Sequence, residues 1–238
     1  MKEMRVLDKE KTVIFACKTI YDEVNLAREK CSCTYPVHFL EDNLHNFPDK
    51  LRDAVQKELD KLDGADRVLM AFGLCGNAMI GLKSHSFQLI LPRVDDCISM
   101  MLGSMKRRAE ISKEGQSIYL TRGWLENPSN IWAEYEYAVK KYGEKTAEYI
   151  IKTMYGKYEY LTLIDTKAYE LEMIEERTSR IADAFHLVPR EVEGTVMMLE
   201  QLFTGPWEED QFIVVPPHST VTEEKADLHL LEMCSKKT

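Results

Sequence analysis

Short apolar runs alternate with segments of helical periodicity along most of the chain. The runs that predict strands cover residues 12–16, 67–72, 87–91, 117–120, 161–164 and 212–215. Most are apolar at nearly every position, which is typical of parallel strands covered on both faces. The predicted helices cover residues 21–30, 48–62, 97–106, 131–155, 167–184 and 193–203. This alternation predicts an α/β fold, a mostly parallel, Rossmann-like sheet with helices on both faces.

Two segments of the chain resemble each other. VIFACKTIYDEV and YLTLIDTKAYEL each place a predicted strand before a helix that carries an early tyrosine. A chain of 238 residues is expected to form one folded unit, 1–238. The internal similarity adds the alternative of two related lobes, a site-bearing lobe 1–130 and a support or lid 131–238. Gly143 is expected to divide the segment 131–155 into two helices.

The charge balance restricts the class of partner. With 31 basic and 40 acidic residues the formal net charge is -9, which repels phosphate backbones, so we expect no nucleic acid partner. No apolar run approaches the roughly 20 residues that span a bilayer, and the first residues carry charges throughout. We therefore expect a cytoplasmic protein without a membrane partner, acting on a small molecule.

Three of the six cysteines follow predicted strands. Cys17 comes directly after the first run, Cys75 follows the second, and Cys97 follows the third. The carboxyl ends of neighbouring parallel strands form the usual ligand-binding edge of an α/β sheet. If these three strands are neighbours, their thiols meet at that edge. The sequence therefore predicts a functional site made by Cys17, Cys75 and Cys97.

The turn GLCGNA surrounds one of these thiols with small residues. Gly73 and Gly76 flank Cys75, and Asn77 follows. Glycine permits a positive φ and lets a ligand approach the backbone closely, so Gly73, Gly76 and Asn77 are candidate cofactor-binding residues. Such a turn is equally suited to present a nucleophile or a metal ligand. A tight turn around a buried cysteine is the structural alternative.

The stretch PRVDDC is the densest group of polar residues. We expect Asp95 or Asp96 to cap the following helix, and Cys97 to lie in its first turn. There the helix dipole would lower the pKa of the thiol and favour the thiolate. Asp96 and Arg93 are candidate catalytic residues together with the thiols. An ion pair between Arg93 and an aspartate is the alternative.

Two further side chains complete the predicted site. His45 lies in a loop before the helix at 48–62, where it is a candidate fourth metal ligand or general base. Arg122 follows the fourth strand and is a candidate partner for an anionic group, with Trp124 as a pocket wall. Cys31 and Cys33 form a C-x-C spacing that lacks partners in sequence, so we leave them outside the site.

Several sequence blocks resemble a known family. The blocks are IFACKTIYDEV, LHNFPDKL, GLCGNAMIGL, LPRVDDCISMMLGS, YLTRGW and LFTGPWEEDQFIVVPP, in this order along nearly the whole chain. Together they resemble the family catalogued as domain of unknown function 1638, and the two blocks with Cys75 and Cys97 are the most specific. The chain departs from the family after Ser104, where MKRR fills a usual aromatic position, and before the fourth strand, where Glu-Gly-Gln-Ser replaces Pro-Gly-Thr.

The resemblance implies a metabolic setting. Members of this family occur in methanogens and strict anaerobes, commonly beside genes for corrinoid-dependent methyltransferases and corrinoid proteins. This setting implies one-carbon or methylamine metabolism, with a methyltransferase or corrinoid protein as the partner and a corrinoid supplied by it. Anaerobic methyl transfer uses zinc thiolates, iron-sulfur clusters and cobalt.

Three hypotheses follow. The first is a metal-thiolate site, zinc or an iron-sulfur cluster, held by Cys17, Cys75 and Cys97 with His45 or an outside ligand in the fourth position. The second is a metal-free enzyme whose Cys75 or Cys97 attacks a small anionic substrate. The third is a non-catalytic accessory protein that docks on a methyltransferase or corrinoid protein through its acidic face and the tyrosine-rich helices from Trp132 to Tyr160.

Overall fold

The computed structural model of the protein describes residues 11–40 and 47–226. Short extended segments of mainly apolar side chains form its strands. They are β1 (Thr12–Cys17), β2 (Val37–Leu40), β3 (Arg67–Ala71), β4 (Gln88–Pro92), β5 (Ser117–Leu120), β6 (Tyr160–Asp165), β7 (Val188–Glu193) and β8 (Phe212–Val215).

Helices connect most of these strands. They are α1 (Tyr21–Lys30), α2 (Pro48–Leu59), α3 (Cys97–Met101), α4 (Met105–Ser112), α5 (Arg122–Glu126), α6 (Ile131–Tyr142), α7 (Glu144–Tyr155), α8 (Glu175–Phe185), α9 (Met197–Thr204) and α10 (Glu223–Ala226). Gly143, at a φ of 80°, separates α6 from α7 as predicted. Short 3-10 turns lie at Lys18–Ile20 and Leu171–Met173.

The strands form two sheets. The five-stranded sheet has the order β2-β1-β3-β4-β8, with β8 antiparallel to β4 and every other pair parallel. The three-stranded sheet has the order β5-β6-β7 and is parallel throughout. A mostly parallel arrangement flanked by helices is Rossmann-like, so the predicted fold class is confirmed. The division into two lobes stays a prediction, although strands from both halves of the chain contribute to the five-stranded sheet.

The main apolar core is centred on three strands of the five-stranded sheet. Residues of β1, β3 and β4 such as Ile14, Leu69 and Ile90 are completely buried, because helices cover both faces of the central strands. A second buried cluster packs β6 against α8 through residues such as Leu161 and Ile181. In the five-stranded sheet β1, β3 and β4 are consecutive neighbours. The three predicted thiols follow these three strands.

Two strands did not appear in the sequence-based prediction. In β2 every residue is at least partly exposed, and β7 alternates exposed and half-buried positions and contains Pro189. Both are edge strands, where continuous apolar character is not needed and proline is tolerated. Residues 188–193 therefore lacked the apolar signal used for the other strands. Among the described residues no helix combines the length and the apolar character needed to cross a membrane.

The carboxyl ends of the two sheets meet. The backbone of α5 packs so closely on the 3-10 turn after β1 that a Cβ on Gly123 would overlap the Thr19 carbonyl oxygen. After β7, the Gly194 amide donates to the Asp165 carbonyl at 2.8 Å and the Thr195 amide donates to the Met101 carbonyl at 2.7 Å. These contacts place the ligand-binding edge of one sheet against that of the other.

Candidate functional site

Three free thiols lie together at the carboxyl edge of the five-stranded sheet. Cys17 is the last residue of β1, Cys75 lies in the turn after β3, and Cys97 begins α3. Cys17 and Cys97 are each only 3% exposed. Each thiol lies close enough to the other two for their charges to interact. The adjacency that the strand order predicts is thus present in the structure.

The turn around Cys75 has an unusual backbone. Cys75, Gly76 and Asn77 are three successive left-handed residues, with φ of 48°, 67° and 68°. Only glycine adopts this region without a steric cost, and asparagine tolerates it better than cysteine does. Backbone strain of this kind concentrates at functional sites. Gly76 and Asn77 are exposed, as a ligand-contacting role would require.

Backbone contacts join this turn to the segment that leads to Cys97. The Leu74 amide donates to the Val94 carbonyl at 2.9 Å, and the Cys75 amide donates to the Asp95 carbonyl at 2.7 Å. Gly73 is buried, and a Cβ there would overlap the backbone of Asp96. Gly73 is thus needed because two loops approach each other closely. This packing holds Cys75 beside Cys97.

The predicted helix cap is present, but a different arginine binds the aspartates. The Asp96 carboxylate accepts a hydrogen bond from the Ser99 amide at 3.1 Å, as expected of an N-cap. Arg108 bonds to Asp95 at 2.9 Å and Asp96 at 2.7 Å, which is the role that had been considered for Arg93. The buried Arg93 side chain instead donates to main-chain carbonyl oxygens near β8 and α10.

The expected thiolate at Cys97 is wrong for the protein as it stands. Burial raises the pKa of Cys97 well above its usual range, and the neighbouring Cys75 and Asp96 raise it further. Burial likewise raises the pKa of the Cys75 thiol, with Cys17 and Asp96 as the next causes. Desolvation therefore outweighs the dipole of a helix that has only five residues.

Two hydrogen-bonding side chains approach the sulfur atoms. Thr19 Oγ1 lies 2.9 Å from Cys17 Sγ in a buried contact. The Trp124 side chain, from α5, lies close to the Cys97 thiol and slightly offsets the rise of its pKa. Neither contact was predicted, since Thr19 has no motif around it and Trp124 was expected only to wall a pocket. The second sheet therefore contributes directly to the surroundings of the thiols.

Arg122 lies near the site but already has acidic partners. Its guanidinium bonds to Asp22 at 2.7 Å and approaches Glu126 at 3.4 Å. It also lies 5.9 Å from the centre of the Tyr169 ring. These contacts use its charge to join α5 to α1. Its predicted role in holding an anionic substrate would require Asp22 to be displaced.

The C-x-C pair lies at the opposite end of α1 from Cys17. The Cys33 amide donates to the Arg28 carbonyl at 2.8 Å and the Ser32 amide donates to the Glu29 carbonyl at 3.1 Å, with Ser32 left-handed at a φ of 52°. This is the Schellman pattern that ends helices. Cys31 and Cys33 therefore have a structural explanation, consistent with their omission from the site.

Within residues 11–40 and 47–226 no three histidine, cysteine or acidic side chains form a group that could hold a metal ion as they stand. His45, the predicted fourth ligand or general base, lies outside the described residues. The three free thiols, in contrast, are the soft donors that zinc and iron-sulfur clusters use.

A cavity of about 280 Å³ adjoins the thiol site. Ile98, the residue after Cys97, and Trp124 form part of its wall. Glu134 also lines it and accepts a 2.5 Å hydrogen bond from the Tyr155 hydroxyl. The predicted place of Trp124 in a pocket wall agrees with this geometry. Among the described residues that line the cavity there is no cysteine, so a small molecule in it would meet Ile98 and Trp124 rather than a sulfur atom.

Comparison with known families covers two of the three thiols. The family described as protein of unknown function (DUF1638) matches residues 39–203. The chain belongs to the DUF1638 family. The DUF1638 match includes Cys75, Cys97 and Arg122, whereas Cys17 precedes it. No curated protein and no solved structure matches the chain.

Proposed function

We propose that Cys17, Cys75 and Cys97 together bind a metal centre, either zinc or an iron-sulfur cluster. We further propose that the protein is a cytoplasmic enzyme of anaerobic one-carbon or methylamine metabolism that works with corrinoid-dependent methyl transfer. The observation that carries the proposal is the position of three free thiols, two buried and one half-buried, at the carboxyl edge of neighbouring parallel strands. To ligate a metal the three sulfur atoms would have to move closer together than they stand in the described residues. The metabolic setting rests on the family resemblance.

The electrostatics of the cluster favour a cation as its ligand. After burial, the largest influences on Cys97 are Cys75, Asp96 and Cys17, all of which become negative when ionised. Such surroundings keep a thiol protonated and therefore a poor nucleophile. A bound metal ion reverses this preference, because its positive charge stabilises the thiolates as their protons are released. The same features therefore support metal binding better than a metal-free cysteine nucleophile.

The contacts to the sulfur atoms also suit a metal site. Thr19 and Trp124 approach Cys17 and Cys97, and hydrogen bonds to ligand atoms orient them and adjust the electron density on the metal. Asp96, held by Arg108, lies behind Cys97 as the cap of its helix. The side chains around the thiols would thus support their orientation as ligands.

Three protein ligands would leave one coordination position for a substrate. Zinc in such a site acts as a Lewis acid or activates a thiolate, and an iron-sulfur cluster with a free iron position binds a substrate directly. The cavity lined by Ile98 and Trp124, which are neighbours of Cys97, would hold part of that substrate. A corrinoid would come from a separate partner protein.

Metal content tests the proposal. Protein purified anaerobically is expected to hold close to one zinc ion or one iron-sulfur cluster per chain, and Cys75→Ser is expected to lose most of it. Cys33→Ser is the matched control, because Cys33 is free but belongs to the helix end. Absorption near 400 nm would identify iron-sulfur. Less than about one tenth of an equivalent in the unaltered protein would reject a metal site.

Methyl transfer requires its own assay. With methylcobalamin as the probe, the unaltered protein is expected to accelerate loss of the methyl-cobalt absorption when a thiol acceptor is supplied, and Cys97→Ser is expected not to. If the metal is present but the corrinoid spectrum does not change, the metal site stands and the methyl-transfer role is refuted.

The metal-free alternatives give different results. A cysteine nucleophile predicts rapid alkylation of a single thiol by iodoacetamide at neutral pH, in protein that contains no metal. A docking protein predicts that a methyltransferase is retained equally by the unaltered chain and by Cys75→Ser. The raised pKa values of Cys75 and Cys97 argue against the first of these.

A further inference from the structure

A buried carboxyl group lies in the junction between the two sheets. Glu23, in the first turn of α1, is 1% exposed. One of its oxygens, Oε1, accepts a 3.0 Å hydrogen bond from the Thr166 hydroxyl, which follows β6. The other, Oε2, is buried and has no hydrogen-bond partner within residues 11–40 and 47–226. Such an atom is costly to bury if it carries charge.

The junction also contains the segment that follows Cys17. Thr19 contacts Cys17 on one side and the backbone of Gly123 on the other. One helical turn later, Asp22 and Glu23 bind α5 and the end of β6, respectively. A movement in this junction would therefore change the position of α5, which carries the Trp124 contact to Cys97.

The charges around Glu23 do not neutralise it. Asp22 is adjacent, and its carboxylate already binds Arg122. Tyr169, which follows β6, adds a neutral hydroxyl, and the positive charge of Arg122 offsets only part of the burial of Glu23. Burial raises the pKa of Glu23 to about 7, against a smaller lowering by hydrogen bonds that include the one from Thr166. Near neutral pH the group thus divides between its acid and its carboxylate.

We propose that Glu23 is a proton-operated latch that controls how tightly the three-stranded sheet closes over the thiols. As the neutral acid, Glu23 fits the dry junction and keeps α5 against the turn after β1. On losing its proton to solvent, the carboxylate needs water at Oε2, and water enters by separating α5 from that turn. Regulation of a metal site by this latch rests on the proposed function. The latch itself is independent of that function.

The environment of Trp124 reports on the latch. In protein labelled with 5-fluorotryptophan, the fluorine resonance assigned to Trp124 through Trp124→Phe is expected to shift between pH 5.5 and 8.5, with a midpoint near 7. In Glu23→Gln it is expected to remain at the low-pH position across this range. Glu29→Gln is the matched control on an exposed position of α1, and it is expected to titrate like the unaltered chain.

A second variant keeps the test decisive if Glu23→Gln does not fold. Thr166→Val removes the hydroxyl that favours ionised Glu23, so the midpoint is expected to move to higher pH. A midpoint unchanged in Thr166→Val, or a titration of Trp124 that persists in folded Glu23→Gln, would overturn the latch.

Measuring the metal content of the same anaerobically purified protein separates the two proposals. If that protein contains no metal but its Trp124 resonance still titrates in a way that depends on Glu23, the latch is supported and the absence of metal rejects the metal site. A flat Trp124 resonance in metal-loaded protein would reject the latch and leave the metal site intact.

Discussion

The carboxyl edges of the two sheets use the same connection for different chemistry. In the first sheet, β1 runs through a 3-10 turn into α1, and in the second, β6 is followed by a 3-10 turn and α8. The first edge ends in two buried thiols and one half-buried thiol. The second ends in Asp165, Thr166 and Lys167, of which Lys167 has a side chain that is 74% exposed.

The difference lies in how each edge is held. The thiol edge depends on close backbone approaches, as at Gly73, and on buried hydrogen bonds such as that between Thr19 and Cys17. The second edge adds an exposed ion pair between Lys167 and Asp165. The same connection, a strand followed by a 3-10 turn and a helix, can therefore form a buried site on one sheet and, on the other sheet, a surface that packs against that site. The residues that follow each strand decide which of the two it forms.

The largest effect is expected from a methyl group at Gly73. Gly73→Ala would force Cβ into the Asp96 backbone, which cannot rotate away, and is expected to cost on the order of 4 kcal/mol in the free energy of unfolding. At the second edge, Gly194→Ala meets mainly the methyl groups of Ile164 and Thr166, so about 2 kcal/mol is expected. Urea unfolding measures both. If both substitutions lowered the free energy of unfolding by the same amount, the two edges would not differ in how tightly their backbones are packed.

The next effect tests the junction between the edges. Glu23 has a pKa of about 7 in the folded chain against 4.5 in an unfolded chain, so its contribution to stability is full below pH 4.5 and is lost as the pH rises through 7. Glu23→Gln is therefore expected to raise the free energy of unfolding by about 3 kcal/mol at pH 8 and by little at pH 4. Thermal unfolding at both pH values measures this. A gain of equal size at pH 4 would contradict the charge-based explanation.

A smaller effect is expected at the cap of α3. Arg108 is partly exposed and binds Asp95 and Asp96, so Arg108→Gln is expected to lower the free energy of unfolding by about 1 kcal/mol, less in high salt. Lys106→Gln removes an exposed charge from the same helix and is the control. Chemical unfolding at two salt concentrations compares them. Salt-independent loss in Arg108→Gln would show that packing, rather than charge, explains it.

The smallest effect is expected at the second edge. Lys167→Met removes an ion pair whose lysine is largely in water, so the unfolding midpoint is expected to stay within experimental error. Differential scanning calorimetry at low salt gives the most sensitive measurement. A clear loss of stability there would mean that the exposed pair holds the second edge as firmly as backbone contacts hold the first.

Much of the fold could be predicted because central parallel strands leave a strong signal. The apolar runs that became β1, β3 and β4 are buried on both faces, so their sequences contain few polar residues. The prediction that Cys17, Cys75 and Cys97 lie together combined the rule that ligands bind at the carboxyl edge with the assumption that these strands are neighbours, and the observed strand order agrees with that assumption. The edge strands β2 and β7 lack that signal, because one side of each faces solvent or lacks a neighbouring strand.

The surroundings of the thiols could not be predicted in the same way. The dipole argument for Cys97 concerned only its own helix, whereas the pKa depends on burial by the rest of the chain. Trp124 and Glu23 act across the contact between the sheets, and sequence periodicity contains no information about that contact. Arg108 lies 12 residues beyond Asp96, too far for a local pattern to identify the pair.

The antiparallel pairing of β8 with β4 has a consequence for synthesis on the ribosome. The first four strands of the five-stranded sheet leave the ribosome early, but Phe212–Val215 emerges only after the entire three-stranded sheet. Until then the apolar β4, Gln88–Pro92, has an unpaired edge that can join strands of other nascent chains. Ribosomes that stall before residue 212 are therefore expected to yield chains that associate, and translation speed through that region becomes a determinant of yield.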